Sequence, residues 1–158
     1  PEPDLIVLAL SSGGSAAGLT AGLIRAGLRT RVLAIAVAEP VKVFERKAQA
    51  LANELLEPAA RAAVCARLEI DRRYLGAGYG RPTNESEGAA LAAAQSGLAL
   101  DHTYTAKAFA AALDRIALGS EAHVLFWNTL SSAEMAPLLL GAPAEHELSA
   151  ELRALALD

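Results

Sequence analysis

One cysteine, Cys65, is all the sequence contains, so no internal disulfide framework can form and a reducing compartment is permitted. In its Ala/Val surroundings that thiol is expected to pack as a small, inert, buried hydrophobe. Aromatic residues make up 4% of the chain, too few to favour an all-β sandwich. Lysine occurs three times, at Lys42, Lys47 and Lys107, and the arginines are scattered, giving a net charge of -4 with no basic stripe. Neutralising a run of backbone phosphates needs such a stripe, so nucleic acid is excluded as a partner. No apolar run reaches the roughly 18 residues of a membrane span. No basic leader precedes the first apolar segment. The expectation is a soluble, cytoplasmic chain without a membrane segment. His102, His123 and His146 have no metal-ligand spacing, and no metal site is expected.

What the chain does contain is 53% hydrophobic residues against 20% charged ones over 158 positions. That is enough to bury roughly 68–70% of the unfolded surface as one unit. Residues 5–10, LIVLAL, form a short continuous apolar run ended by Ser-Ser-Gly-Gly, the pattern of a strand buried on both faces of a parallel sheet. Leu19, Leu23 and Ala26 then recur at helical spacing, and Gly27 marks a stop. Residues 31–37 repeat the strand signature. Pro40 breaks it, and residues 41–56 read as an amphipathic helix with Lys42, Glu45, Arg46 and Gln49 outward. Strand, crossover helix and parallel strand of this length are right-handed, which puts helices on the sheet faces. The fold class is therefore α/β, in three layers, with a mostly parallel twisted sheet and helices on both faces.

Further along, residues 68–70 suggest a short strand and residues 74–80 a loop with glycine hinges. Asn84 with Glu87 predicts a helix N-cap and its capping-box partner, opening a helix over 85–96. A short strand over 98–100, a helix over 103–118, a buried strand over 123–127 and a helix over 133–140 follow. Leu148, Leu152 and Leu155 predict a terminal amphipathic helix within 144–158.

Chemistry concentrates where strands end. Residues 11–18, SSGGSAAG, lie between a predicted strand and helix, where Ser12, Gly13, Gly14 and Ser15 combine hydroxyl donors, close backbone approach and a helix dipole. That is a phosphate cradle. It lacks the Walker lysine, and Ser15 replaces the second glycine of GxGxxG, so neither nucleotide fingerprint is met. A monophosphate cofactor is the expected ligand. GYGRPTN over 78–84, DHTYTAK over 101–107 and Asn128-Thr129 also end or follow strands, and could face one site in the crevice beyond the strand ends.

In their order, these segments resemble the D-cysteine desulfhydrase and 1-aminocyclopropane-1-carboxylate deaminase branch of the fold-type-II pyridoxal-phosphate enzymes. The glycine loop with Ala17-Gly18-Leu19 is similar to the phosphate loop of that branch. GYGRPTNESEGA, LDHTYTAKA and VLFWNT are similar to its later motifs. The resemblance covers residues 4–140, as the C-terminal part of such an enzyme, with 141–158 as a terminal helical tail. It implies pyridoxal 5'-phosphate as cofactor, a small amino acid as substrate and a homodimer. It implies that Ser12, Gly13, Gly14 and Ser15 hold the phosphate with Thr129 beside them, and that Tyr79 and Tyr104 are catalytic. It further implies that Thr105 lies at the pyridine nitrogen. Desulfhydrases resemble one another in having threonine there and deaminases in having glutamate, so Thr105 implies β-elimination to pyruvate, ammonia and sulfide. Ala106, His102 and Leu130-Ser131 depart from the pattern, replacing glycine, proline and Gly-Gly.

The lysine that joins the cofactor aldehyde belongs to the front half of the family, and none of Lys42, Lys47 and Lys107 fits it. The expectation is a fragment, inactive alone, that needs a missing N-terminal half or partner chain and leaves an apolar face exposed near the glycine loop. The alternatives are a catalytically silent domain of the same descent, binding a small ligand or a partner, and a nucleotide-binding Rossmann-like module.

Overall fold

The computed structural model describes residues 2–129 and 136–155. Four strands, β1 (Leu5–Leu10), β2 (Arg31–Ala36), β3 (Leu68–Asp71) and β4 (Val124–Phe126), form one sheet in the order β3-β2-β1-β4. Every pairing is parallel, with Leu5 opposite both Arg31 and Val124. The apolar runs explain the centre: β1 and β2 are the inner strands and carry almost only buried residues. Their side chains alternate between two cores. Leu5, Val7, Leu33 and Ile35 pack with alanines of α4 (Asn84–Gln95) and α5 (Thr105–Leu118). Leu8, Leu10, Val32 and Ala34 face α1 (Gly14–Arg25) and α2 (Val41–Glu54). The three-layer α/β arrangement is thus present, with two helices on each face.

Local signals set the helix ends. Gly27 has φ 68°, and the Gly27 and Leu28 N–H groups donate to the carbonyls of Ile24 and Leu23, closing α1 in a Schellman motif. A second Schellman motif ends α4, where Gly97 and Leu98 donate to Ala94 and Ala93. This explains why the strand predicted over 98–100 is absent: Leu98 is already spent on the helix end, and Asp101 turns to the start of α5. The capping box of α4 sits one residue earlier than predicted, with Thr83 and Ser86 exchanging hydrogen bonds of 3.1 and 2.8 Å.

Three further expectations are corrected. Cys65 is exposed, because it lies in the one-turn helix α3 (Val64–Arg67), whose buried contact is Val64 instead. The strand over 123–127 is shorter and only partly buried, since β4 is a sheet edge with β1 as its single neighbour. The helix predicted over 133–140 falls partly outside the described residues, and its described part is a 3-10 turn, Ala136–Leu139. In the tail, a 3-10 turn, Glu145–Glu147, precedes the short α6 (Ala150–Leu155).

At the N-terminal edge of the sheet, Glu121 accepts hydrogen bonds from Arg115 Nη2 at 2.6 Å and Arg31 Nη2 at 2.7 Å, tying α5 to β2. The Arg115 hydrogen bond, against the opposing effect of burial, holds this carboxyl at about 2, below its ordinary 4.5. A folded-state value below the unfolded one contributes stability that is complete above pH 4.5 and lost as the pH falls toward 2. Glu121→Gln is therefore expected to cost about 3 kcal/mol at neutral pH, by leaving Arg115 without its buried partner. Urea denaturation of parent and variant across that pH range should show the gap closing as acid is added.

Candidate functional site

Parallel strands on either side of β1 lead away in opposite directions, to β2 on one side and β4 on the other, so the sheet's topological switch lies at the C-terminal ends of β1 and β4. Ligands of open α/β sheets bind at that crevice. A cavity of about 150 Å³ lies there, lined by Ala9, residues 11–16, Tyr104 and Thr129. The structure therefore brings Ser12, Gly13, Gly14, Ser15, Tyr104 and Thr129 to one place. Tyr79 and Thr105 are not in this lining.

The start of α1 is open. Gly13 precedes the helix with φ 92°, a left-handed conformation, and no side chain caps the helix. The other long helices are closed: Glu39 accepts from the Val41 N–H at α2, Thr83 caps α4, and Asp101 accepts from the Tyr104 and Thr105 N–H groups at α5. No acidic residue occupies the first turn of α1, and among the described residues the Ser11, Ser12 and Ser15 hydroxyls have no hydrogen-bond partner. Free N–H groups, three hydroxyls and a helix dipole converge on the cavity, an arrangement that takes an anion. Gly13 is required twice over. A Cβ there would lie 3.0 Å from the Ala48 Cβ of α2 and would force an L-residue into the left-handed region.

A larger cavity of about 490 Å³ opens at the opposite end of the sheet, beside Glu2, Arg29, Arg31 and Glu121. Its carboxylates are already engaged: Glu2 accepts from the Arg29 and Thr30 N–H groups, and Glu121 from two arginines.

Tyr104 opens α5 on the cavity wall. Its hydroxyl lies 2.5 Å from that of Tyr79, the rings meeting edge to face with centroids 5.7 Å apart. The bond to Tyr79, helped by burial, pushes the Tyr104 hydroxyl up to about 12, so Tyr104 stays protonated at neutral pH. Two phenols in one hydrogen bond leave one proton free to point elsewhere. Thr105 is 1% exposed, and its hydroxyl donates to Asp101 Oδ2 at 2.6 Å and accepts from the Asp101 N–H at 2.8 Å. Despite the opposing effect of burial, these bonds hold the Asp101 carboxyl below its ordinary value.

Two residues were missed by sequence reasoning. Asp101 accepts from the first N–H groups of α5, and its signal was an Asp four residues before the first helical residue, Thr105. Lys107 is fully buried, with Nζ donating to the carbonyls of Leu75 and Gly78 at 2.7 and 3.1 Å. Its signal was a cation set among Ala106, Ala108, Ala110 and Ala111, all of them on the core side of α5. Lys42 and Lys47 are exposed on α2, and none of the three lysines lines the cavity.

A family model described as pyridoxal-phosphate dependent enzyme matches residues 1–129. The chain belongs to that pyridoxal-phosphate dependent enzyme family. It is also similar to a solved structure titled "Crystal Structure Analysis of the ACC deaminase homologue", with 28% identity and a TM-score of 0.67 over 88% of this chain. The match spans 44% of that structure's chain. The cradle fits the phosphate end of the family's cofactor, since the unpaired N–H and hydroxyl donors suit a dianion. At about 150 Å³ the cavity is smaller than the roughly 300–1,000 Å³ typical of a complete small-molecule site.

Gly13→Ala is expected to destabilise the chain by about 1–2 kcal/mol, the strain of a left-handed L-residue. Gly14→Ala, whose Cβ would meet nothing within 4 Å, should leave stability unchanged or slightly raised. Thermal denaturation of the two variants checks the contrast.

Proposed function

We propose that this chain is the phosphate-holding part of a pyridoxal-phosphate-dependent lyase acting on a small amino acid, of the D-cysteine desulfhydrase kind. The observation that carries the reading is the open start of α1, with Ser12, Gly13, Gly14 and Ser15 facing one cavity with Tyr104 and Thr129. When bound, the cofactor supplies an electron sink for the bond broken at the substrate's α-carbon. The residues of this chain bind and orient. Ser12, Ser15 and the first N–H groups of α1 hold the phosphate, and the helix dipole favours its charge. Tyr104, fixed by Tyr79, presents a protonated hydroxyl beside the cavity, able to hold or deliver a proton.

The choice of β-elimination rests on the resemblance that Thr105 carries and not on the cavity, since the Thr105 hydroxyl is buried outside the lining and bonded to Asp101. A neutral hydroxyl, with its proton given to Asp101, does not keep a pyridine nitrogen protonated as a carboxylate would. The weaker sink suits a good β leaving group such as thiolate. The chain spans less than half of the ACC deaminase homologue it matches. The lysine that bonds the cofactor aldehyde is accordingly assigned to the remainder of the enzyme, and α5 and β4 offer a face for it. Leu113, Ile116 and Leu118 on α5, and Leu125 and Trp127 at the open sheet edge, are at least a third exposed. Assembly as a homodimer belongs to the same proposal.

The test uses the full-length protein with pyridoxal 5'-phosphate. D-cysteine should yield pyruvate and sulfide in equal amounts, and 1-aminocyclopropane-1-carboxylate should not be consumed. The double variant Ser12→Ala/Ser15→Ala should weaken cofactor binding about 10- to 100-fold, as expected for hydrogen bonds to a charged group. Turnover of the cyclopropane substrate, or higher elimination activity in Thr105→Glu, contradicts the desulfhydrase assignment. Phosphate binding by the full-length protein with no turnover of either amino acid favours the silent-domain reading, for which the absence of lysine from the cavity speaks.

A further inference from the structure

Lys107 is the largest side chain buried without exposure, and its ammonium faces two backbone carbonyls, with no carboxylate among its hydrogen-bond partners. Burial lowers its pKa. A buried cation paired only with carbonyls is expensive to keep where a methionine would fill the same space. What distinguishes it from an apolar residue is direction: both carbonyls belong to the segment that carries Tyr79.

That segment has little to hold it. Gly76, Gly78 and Gly80 all have left-handed φ values, 62°, 113° and 71°, which leave the chain many alternatives. Its own backbone bonds are long, 3.2 Å from the Gly78 N–H to Leu75 and 3.4 Å from the Arg81 N–H to Gly78. The fixed points come from α5. Asp114 accepts from the Tyr74 hydroxyl at 2.5 Å, Lys107 holds the Leu75 and Gly78 carbonyls, and Tyr104 meets Tyr79. The Gly78 carbonyl shares its rigid peptide plane with the Tyr79 N–H. Holding that carbonyl therefore aims the Tyr79 backbone, and with it a side chain that is 57% exposed and meets Tyr104 edge to face.

We propose that Lys107 is a positioning residue: by gripping the Leu75 and Gly78 carbonyls it sets the Tyr79 hydroxyl against Tyr104 and so builds the tyrosine pair beside the glycine-loop cavity. The use of that pair in catalysis rests on the function proposed above, but its assembly by Lys107 does not.

Lys107→Met in the full-length protein removes the donors and keeps the volume. Amide exchange over residues 76–80 should rise about tenfold or more, as for a segment released to local opening. The Tyr104 titration, read by tyrosinate absorbance, should fall from about 12 toward the ordinary 10, matching Tyr79→Phe. A merely structural lysine predicts a lower melting temperature with loop exchange and the Tyr104 titration unchanged, and that result overturns the proposal. If both readouts shift while the parent fails to turn over D-cysteine, positioning stands and the proposed function falls. Should Lys107→Met not fold, the parent labelled at lysine nitrogen carries the test. The Lys107 ammonium should exchange slowly and couple across hydrogen bonds to the Leu75 and Gly78 carbonyl carbons, unlike Lys42 and Lys47. Fast exchange without coupling overturns the proposal equally.

Discussion

A helix start with no acceptor of its own is the constraint around which this structure is arranged. The first N–H groups of any α-helix lack intrahelical partners. In this chain α2, α4 and α5 satisfy some of theirs with Glu39, Thr83 and Asp101, while α1 does not. The open end is placed by the sheet: β1 is buried on both faces, stops at Leu10, and delivers the chain through Gly13 into α1 at the switch between β1 and β4. Ala48 of α2 packs so closely on Gly13 that any larger residue would displace either the helix or the loop.

The second organising element is α5. Its buried alanines form one wall of the core, its C-terminal part joins the arginine-glutamate cluster at the N-terminal sheet edge, and its N-terminal part carries Tyr104. Between these lie Lys107 and Asp114, which hold the glycine-hinged segment after β3. A single helix therefore couples the tyrosine pair to the packing of the sheet. The cavity at its head is smaller than the roughly 300–1,000 Å³ of a typical complete small-molecule site, and the chain spans 44% of its solved relative's chain.

Much of the fold was legible because buried parallel strands leave continuous apolar runs, as in residues 5–10 and 31–37, and because glycines stop helices at Gly27 and Gly97. The glycine loop was legible for the same reason: small residues between a strand and a helix have few other uses. What stayed hidden depends on sheet position and long-range pairing. The run over 123–127 looks like an inner strand, and only the strand order makes it an edge. Leu98 and Leu100 look like strand residues, yet Leu98 is drawn into the end of α4. Cys65 lies in an apolar stretch but on the outer side of a one-turn helix. Lys107 could be seen as a cation on an alanine face, but its partners lie 32 and 29 residues away in a loop whose path the sequence does not reveal.

The account stands or falls on the anion cradle at α1. Titrating the ¹⁵N-labelled full-length protein with inorganic phosphate, while following each backbone amide, tests it without requiring cofactor or turnover. The account predicts saturable downfield shifts at Gly14, Ser15 and Ala16, with the Tyr104 and Thr105 amides, already bonded to Asp101, little changed. Saturable shifts confined to the arginines around Glu121, or none at the start of α1, would contradict it.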